Sequence, residues 1–289
     1  MTSILKLETT DWHSKFEESL KKDVIEALED GKVIFFPNLK FEIKENELPL
    51  FNQLNLKVKS LKYNLKEDRL WGAKEIQFEN EAREMIKRYA LSAVSLVENL
   101  FPHYKENMQI FNSSFRPIEA EGRKQSKRHD DTRLHVDSFP SRPVQGKRLL
   151  RVFANVNLEG SPRVWNVGEE FETVAEKFLP KISPPSSVIA KLLKFFKLTK
   201  TLRTPYDHYM LSLHDSMKLD ETYQTNAEKE NIHFPAGSVW ICFSDKVSHA
   251  VLSGKSLLEQ TILLKPEEMQ NPEKSPLKIL ERLLNKKLV

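Results

Sequence analysis

Cysteine is nearly missing: a single residue, Cys242, stands among 289, so no disulfide can form within the chain. Set in the apolar run Val239-Trp-Ile-Cys-Phe243, that thiol reads as a reduced, buried packing residue rather than a nucleophile. Long hydrophobic runs are absent too. No window approaches the ~20 apolar residues that span a bilayer, and MTSILKLETTDWHSKF has no basic start leading into an apolar stretch. The expectation is a protein made and kept in the cytoplasm. Charge of one sign is scarce, because 45 Lys and Arg against 41 Asp and Glu leave only +4, with a pI near 8.9. This falls short of a nucleic-acid footprint but suits acidic substrates or an anionic membrane surface. Neither an internal repeat nor any feature implying a protein partner is present.

What the chain does have is enough apolar content, 39 %, to bury a sizeable core, and the length fits one domain. Phe16, Leu20, Val24 and Leu28 recur at four-residue steps, Gly31 supplies a stop, and Lys32 to Phe36 is rich in strand formers, which predicts a helix running into a strand. Helical spacing returns from Glu79 to Leu100 and ends at Phe101-Pro102. Beyond residue 107 the texture changes to short apolar or alternating runs: Met108 to Arg116, Lys147 to Asn157, Tyr206 to Leu213, Ser238 to Phe243 and Leu257 to Leu264. These are read as strands. The predicted fold is therefore α+β: a double-stranded β-helix (jelly-roll, cupin-like) core over 108–265, braced by a helical region over 1–107 and followed by an amphipathic helix over 266–289. Two late segments, Val188 to Lys200 and Leu277 to Leu288, are amphipathic and basic. Each has two readings, a helix packed on the core or a helix lying on a membrane.

The chemistry is concentrated in His135, Asp137 and the distant His249. Residues i and i+2 of an extended strand project to one face, so His135 and Asp137 can offer an imidazole and a carboxylate together while Val136 points away. Asn231 to Gly254 reads as strand, Pro-Gly turn, apolar strand, polar turn and a further strand that begins at His249. Two histidines and one carboxylate occupy one half of an octahedral Fe(II) and leave three positions open, which suits a chelating 2-oxoglutarate and O2. This is the ligand set of an oxygenase. His214-Asp215 is a competing pair, although neighbouring strand residues face opposite ways.

The blocks His135-Val-Asp-Ser-Phe-Pro-Ser-Arg-Pro143, Arg151-Val-Phe-Ala-Asn-Val-Asn157, Phe234-Pro-Ala-Gly-Ser-Val-Trp240 and Ser248-His-Ala-Val-Leu-Ser-Gly254 resemble the Kdo hydroxylase family. Leu213-His-Asp-Ser-Met-Lys218 and Tyr223-Gln224 fit the same pattern, and the resemblance covers most of residues 108 to 265. It implies an Fe(II)- and 2-oxoglutarate-dependent dioxygenase that hydroxylates carbon 3 of 3-deoxy-D-manno-oct-2-ulosonic acid (Kdo) within Kdo-lipid A, giving Ko. It also implies His135, Asp137 and His249 as the iron ligands. Peripheral work at the inner face of the inner membrane follows from such a substrate. The alternatives are a hydroxylase of the same cofactor type acting on another small molecule or a protein, and a non-catalytic lipid- or sugar-binding barrel.

Many relatives carry Arg or Lys shortly after the last histidine, where this chain has Glu259, Gln260 and Thr261, so the 2-oxoglutarate carboxylate needs another partner. Arg151 is the candidate, since Arg151, Phe153, Asn155 and Asn157 alternate along one strand face and a polar face inside a barrel is costly unless it meets a ligand. Its guanidinium can grip a carboxylate at two points. Arg148 is the rival, Asn155 a neighbour, and Thr261 a source of a hydroxyl. Arg123, Lys124, Lys127, Arg128 and Arg133 gather before the triad, and Arg142, Lys147 and Arg148 follow it. Among these, Arg128 and Arg142, with His214 and Lys218, are the candidate contacts to an anionic sugar.

Overall fold

Strand β1 (Ile4–Lys6) opens the chain and helix α1 (Glu18–Asp30) follows; Gly31, at φ 98°, caps that helix by donating its N–H to the Ala27 and Leu28 carbonyls. A left-handed residue here costs glycine little, and it lets the chain turn at once into β2 (Val33–Phe36), which pairs in parallel with β1. This computed structural model describes residues 3–53, 60–72, 78–122 and 125–289. A short α2 (Pro49–Gln53), the hairpin strands β3 (Leu61–Asn64) and β4 (Arg69–Trp71), and the long α3 (Glu79–Leu100) complete the first third. Strands β5 (Gln109–Arg116), β6 (Arg148–Asn155) and β7 (Arg163–Gly168) come next, then α4 (Phe171–Phe178), α5 (Ser187–Phe195), α6 (Pro205–Leu219) and α7 (Glu221–Asn226). The remainder is β8 (Lys229–Phe234), β9 (Val239–Phe243), β10 (His249–Ser253), β11 (Leu257–Leu264) and α8 (Pro276–Leu284).

The strands form an eight-stranded sheet, β1-β2-β9-β6-β11-β5-β3-β4, facing a three-stranded sheet, β10-β7-β8. The fold is α+β with a jelly-roll core, as expected. Alternation along β6 separates two environments. Leu150, Val152 and Ala154 join Ile86, Tyr89 and Ala93 of α3 in the larger apolar core, where Tyr89 Oη also donates to the Val152 carbonyl at 2.8 Å. Phe153 faces the other sheet and packs with Trp165, Phe234 and Trp240, whose rings meet edge-on or stacked. A third cluster lies under α4, α6 and α8.

The structure departs from the sequence reading in three places. Tyr206 to Leu213 is not a strand but part of α6, which starts with Pro205 at its first turn and a reciprocal capping box between Thr204 and Asp207. Those capping residues satisfy the orphaned N–H groups of the first turn, and Tyr206, Tyr209, Met210, Leu213 and Met217 recur at helical spacing and bury one face of the helix. The N-terminal third is not purely helical, because β1 to β4 extend both edges of the large sheet; strands so short form only where a pre-existing edge pairs with them. His135 and Asp137 sit on an extended segment outside any ladder, where His135 makes one bridge to His249 through reciprocal backbone bonds of 2.9 and 2.8 Å. No helix among the described residues is long and apolar enough to cross a membrane.

Candidate active site

His249 begins β10 and His135 is bridged directly to it, which sets their rings 4.6 Å apart between centroids. Asp137 is held by its own N–H, which donates to the Ser244 carbonyl at 2.8 Å, in the turn between β9 and β10. Potential ligand atoms of His135, Asp137 and His249 all lie within 4.8 Å of one another, and His135 Nε2 is 3.7 Å from Asp137 Oδ1. Both histidines use Nδ1 on a backbone carbonyl: His135 with Arg133 O and His249 with Val247 O, each at 2.8 Å. A carbonyl only accepts, so Nδ1 carries the hydrogen in both rings. The Nε2 lone pairs are thereby left for a shared ligand.

Burial lowers the pKa of both imidazoles, and for His135 the neighbouring His249 adds to the effect. Neutral rings are the form that binds a metal. Burial also raises the carboxyl of Asp137, but Arg151 and the two histidines outweigh it and hold this group well below the ordinary carboxylate range. Its Oδ2 lies 3.2 Å from Arg151 Nη1, yet makes no hydrogen bond of good geometry among the described residues. Two nitrogen lone pairs and an under-used carboxylate oxygen, all buried and converging, are a donor set that fits Fe(II) with open positions.

Of the other sequence-stated candidates, Arg151 points inward: it bridges Asp137 and Glu259, at 3.2 and 3.4 Å, and its guanidinium lies 5.4 Å from the Phe139 ring centroid. Thr261 stands directly opposite Arg151 on β11. Arg148 is turned to the other face of β6, where it is fully buried against Asp245 at 2.8 Å and over the Phe243 ring. Asn155 has its amide committed to the Ser161 and Phe234 carbonyls, so it braces a loop. His214, on α6, meets the His135 ring edge-on at 5.4 Å and contacts Asp215 at 3.0 Å; Asp215 in turn pairs with Arg128. Lys218 is buried against Asp131, 3.0 Å away, and this pair lies close enough to His135 for each to perturb it electrostatically. Arg142 sits over the Phe111 ring and lines a cavity of about 490 Å³ with Phe139, Asn112, Trp71 and Lys200. Arg123 and Lys124 lie outside the described residues.

Sequence reasoning passed over several neighbours. Glu259 collects Arg116 at 3.1 Å as well as Arg151; burial raises its pKa, but these two cations outweigh that and leave it lowered. Trp165 stacks on His249 at 4.9 Å and 21°, with its indole N–H buried and without a hydrogen-bond partner among the described residues. Arg151 Nε is likewise unpartnered. Their only sequence signal is strand parity, since Arg163, Trp165 and Val167 share the buried face of β7. A larger cleft of about 900 Å³, lined by Glu169, Glu170, Glu228 and Lys246, shares no residue with the triad.

The profile of the family described as 3-deoxy-D-manno-oct-2-ulosonic acid (Kdo) hydroxylase matches residues 11–287. Crystal structures of the Kdo hydroxylase KdoO, a non-heme Fe(II) α-ketoglutarate-dependent dioxygenase, superpose closely. The complex with α-ketoglutarate and Fe(III) is 44 % identical over 99 % of this chain and 97 % of that one, with a TM-score of 0.96. The cobalt(II) complex is 44 % identical over 100 % of this chain and 98 % of that one, at 0.97. The complex with succinate and Fe(III) has the same identity and coverages of 100 % and 98 %, at 0.96. No curated protein matches the chain in sequence.

Proposed function

Because the chain belongs to the Kdo hydroxylase family, we propose that it hydroxylates carbon 3 of Kdo carried on lipid A, giving Ko, at a membrane surface where that glycolipid is embedded. It is an Fe(II)- and 2-oxoglutarate-dependent dioxygenase. That sets aside a non-catalytic barrel. In our reading His135, Asp137 and His249 hold the iron, and the observation that carries this is their convergence within 4.8 Å, with both Nδ1 atoms already spent on backbone carbonyls.

Bound iron supplies O2 activation and the oxidising power for the sugar C–H bond, with 2-oxoglutarate as the co-reductant. The chain's own groups do the positioning. Arg151 receives the distal carboxylate of 2-oxoglutarate, aided by Arg116, the opposite Thr261 hydroxyl and the unspent Trp165 N–H. Glu259 keeps both guanidinium groups aimed inward before the cosubstrate arrives. Phe139 and Trp165 cover the flanks of the charged cluster and exclude water from it. Arg142 and Lys200, in the adjoining cavity, face the anionic sugar, while His214 and Lys218 line the site from α6. Arg128 orients His214 through Asp215.

Incubation of the anaerobically iron-loaded protein with Kdo-lipid A, 2-oxoglutarate and O2 tests the reading. Mass spectrometry is expected to show one added oxygen on the Kdo residue, coupled to succinate formation. Succinate release with an unmodified sugar rejects the substrate assignment.

A further inference from the structure

Helix α5 has no buried residue: Val188, Ile189, Leu192, Phe195 and Phe196 are all exposed, and Leu198 and Leu202 continue the surface beyond it. Exposure reaches 78 % at Phe195 and 65 % at both Val188 and Phe196. A contiguous apolar surface of this kind marks an interaction site, and a free helix of so few residues is marginal in water without a partner for its face. The helix is nonetheless built to persist. Ser186 caps its start by accepting from the Ile189 N–H, and Leu198 N–H closes its end on the Leu193 carbonyl at 2.9 Å. Three bonds fasten the following segment to the loop after Asp137: Lys200 N–H to Ser141 O, Thr201 Oγ1 to Pro143 O and Arg203 Nη2 to Pro140 O.

We propose that α5 and the segment to Arg203 form a docking surface for an anionic lipid bilayer, lying in its headgroup plane with Phe195, Phe196 and Leu198 in the acyl boundary. From Ser186 to Arg203 the cations are Lys191, Lys194, Lys197, Lys200 and Arg203, and no acidic residue occurs. Two copies of the chain meeting through this face would oppose cation to cation, whereas anionic headgroups complement it. Lys200 and Thr201 also line the cavity that reaches Phe139 beside Arg151. Docking therefore brings that cavity, which adjoins the Arg151 cluster through Phe139, to headgroup depth, where a lipid-borne sugar acid resides. This inference rests on the reading of a membrane-borne substrate and adds the segment that engages it.

The test is cosedimentation of the full chain with vesicles of phosphatidylglycerol and phosphatidylethanolamine, compared with pure phosphatidylcholine. The wild type is expected to partition onto the anionic vesicles, weakening as salt rises. Phe195→Ser with Phe196→Ser should lower that partition about a hundredfold, at roughly tenfold per lost aromatic, with an unchanged circular dichroism spectrum. Lys191→Gln with Lys194→Gln and Lys197→Gln should erase the preference for anionic over zwitterionic vesicles. All variants should keep wild-type hydroxylation of substrate dispersed in detergent micelles, since none of these side chains touches the reaction site. Wild-type protein that ignores vesicles, or a serine variant that binds them equally, overturns the inference. So does sedimentation equilibrium showing a dimer that the serine pair dissolves. Failure of the micelle assay counts against the substrate reading instead, leaving the vesicle result to stand by itself.

Discussion

Helices α5 and α8 look alike in sequence, short, apolar on one side and each carrying two cations (Lys191 and Lys194; Lys278 and Arg282), yet the fold treats them oppositely. α8 is capped by Ser275, buries Leu277, Ile279 and Leu280, and ends at Asn285 in the left-handed region at φ 47°. Its Glu281 gathers Lys278, Lys287 and the Leu288 N–H, and Arg282 reaches Glu172 on α4. α5 has no acid to pair and, among the described residues, none buries its apolar side. Amphipathicity states that a helix has a face to cover; it does not state what covers it. The single acid inside α8, Glu281, and the cations alone in α5 are the local hint of the difference.

The same contrast runs through β6, one face of which packs on α3 while Arg151 on the other reaches Asp137 and Glu259, so substitutions can sharpen it or break it. The largest effect is expected at the triad. His135→Ala or Asp137→Ala should lower 2-oxoglutarate-coupled turnover by about a thousandfold or more, because an open metal site lacking a ligand no longer positions its reactants, while the melting temperature moves little. Unfolding of both variants, seen by circular dichroism, would show that the site is structural instead.

Next come the two arginines on opposite faces of one strand. Arg148→Met leaves Asp245 buried without its partner and should cost about 3–5 kcal/mol of stability in urea unfolding, with KM for 2-oxoglutarate unchanged. Arg151→Gln should raise that KM by roughly 10- to 100-fold, on the scale of a lost charge-assisted bond. If both variants move the same quantity, the division between the faces of β6 fails.

Leu280→Ala in α8 removes a fully buried side chain and is expected to cost about 2–5 kcal/mol by denaturant midpoint. The smallest effect belongs to α5, where Leu192→Ala should stay within about 0.5 kcal/mol of wild type. A large destabilisation there would mean that α5 packs like its counterpart.

The triad was legible because its signal is short-range: a two-residue step, a strand that opens on His249, and blocks shared with a known family. The 79–100 helix was legible through periodicity and appears with those bounds. Arg148 and Arg151 are three residues apart, so the alternation that nominated Arg151 already put its rival on the other face of β6. Glu259 was read as a missing cation, when it is the carboxylate that Arg116 and Arg151 share; only β5, β6 and β11 lying side by side reveal that. Tyr206 to Leu213 reads as a strand when taken as one more short apolar run, whereas Tyr206, Tyr209, Met210 and Leu213 stand at helical spacing and the Thr204-Asp207 box with Pro205 starts α6.

By itself the chain order determined which residues can ligate, which strand faces are polar and which helices have an apolar side, since these follow from dihedral periodicity and side-chain chemistry within a few residues. Tertiary structure decided the rest: that His135 is bridged to His249, that Arg151 meets Asp137 and Glu259 while Arg148 meets Asp245, and that α8 is covered while α5 is bare. Those outcomes depend on contacts between segments far apart in the chain, and their energies exist only once the sheets have closed around a common interior.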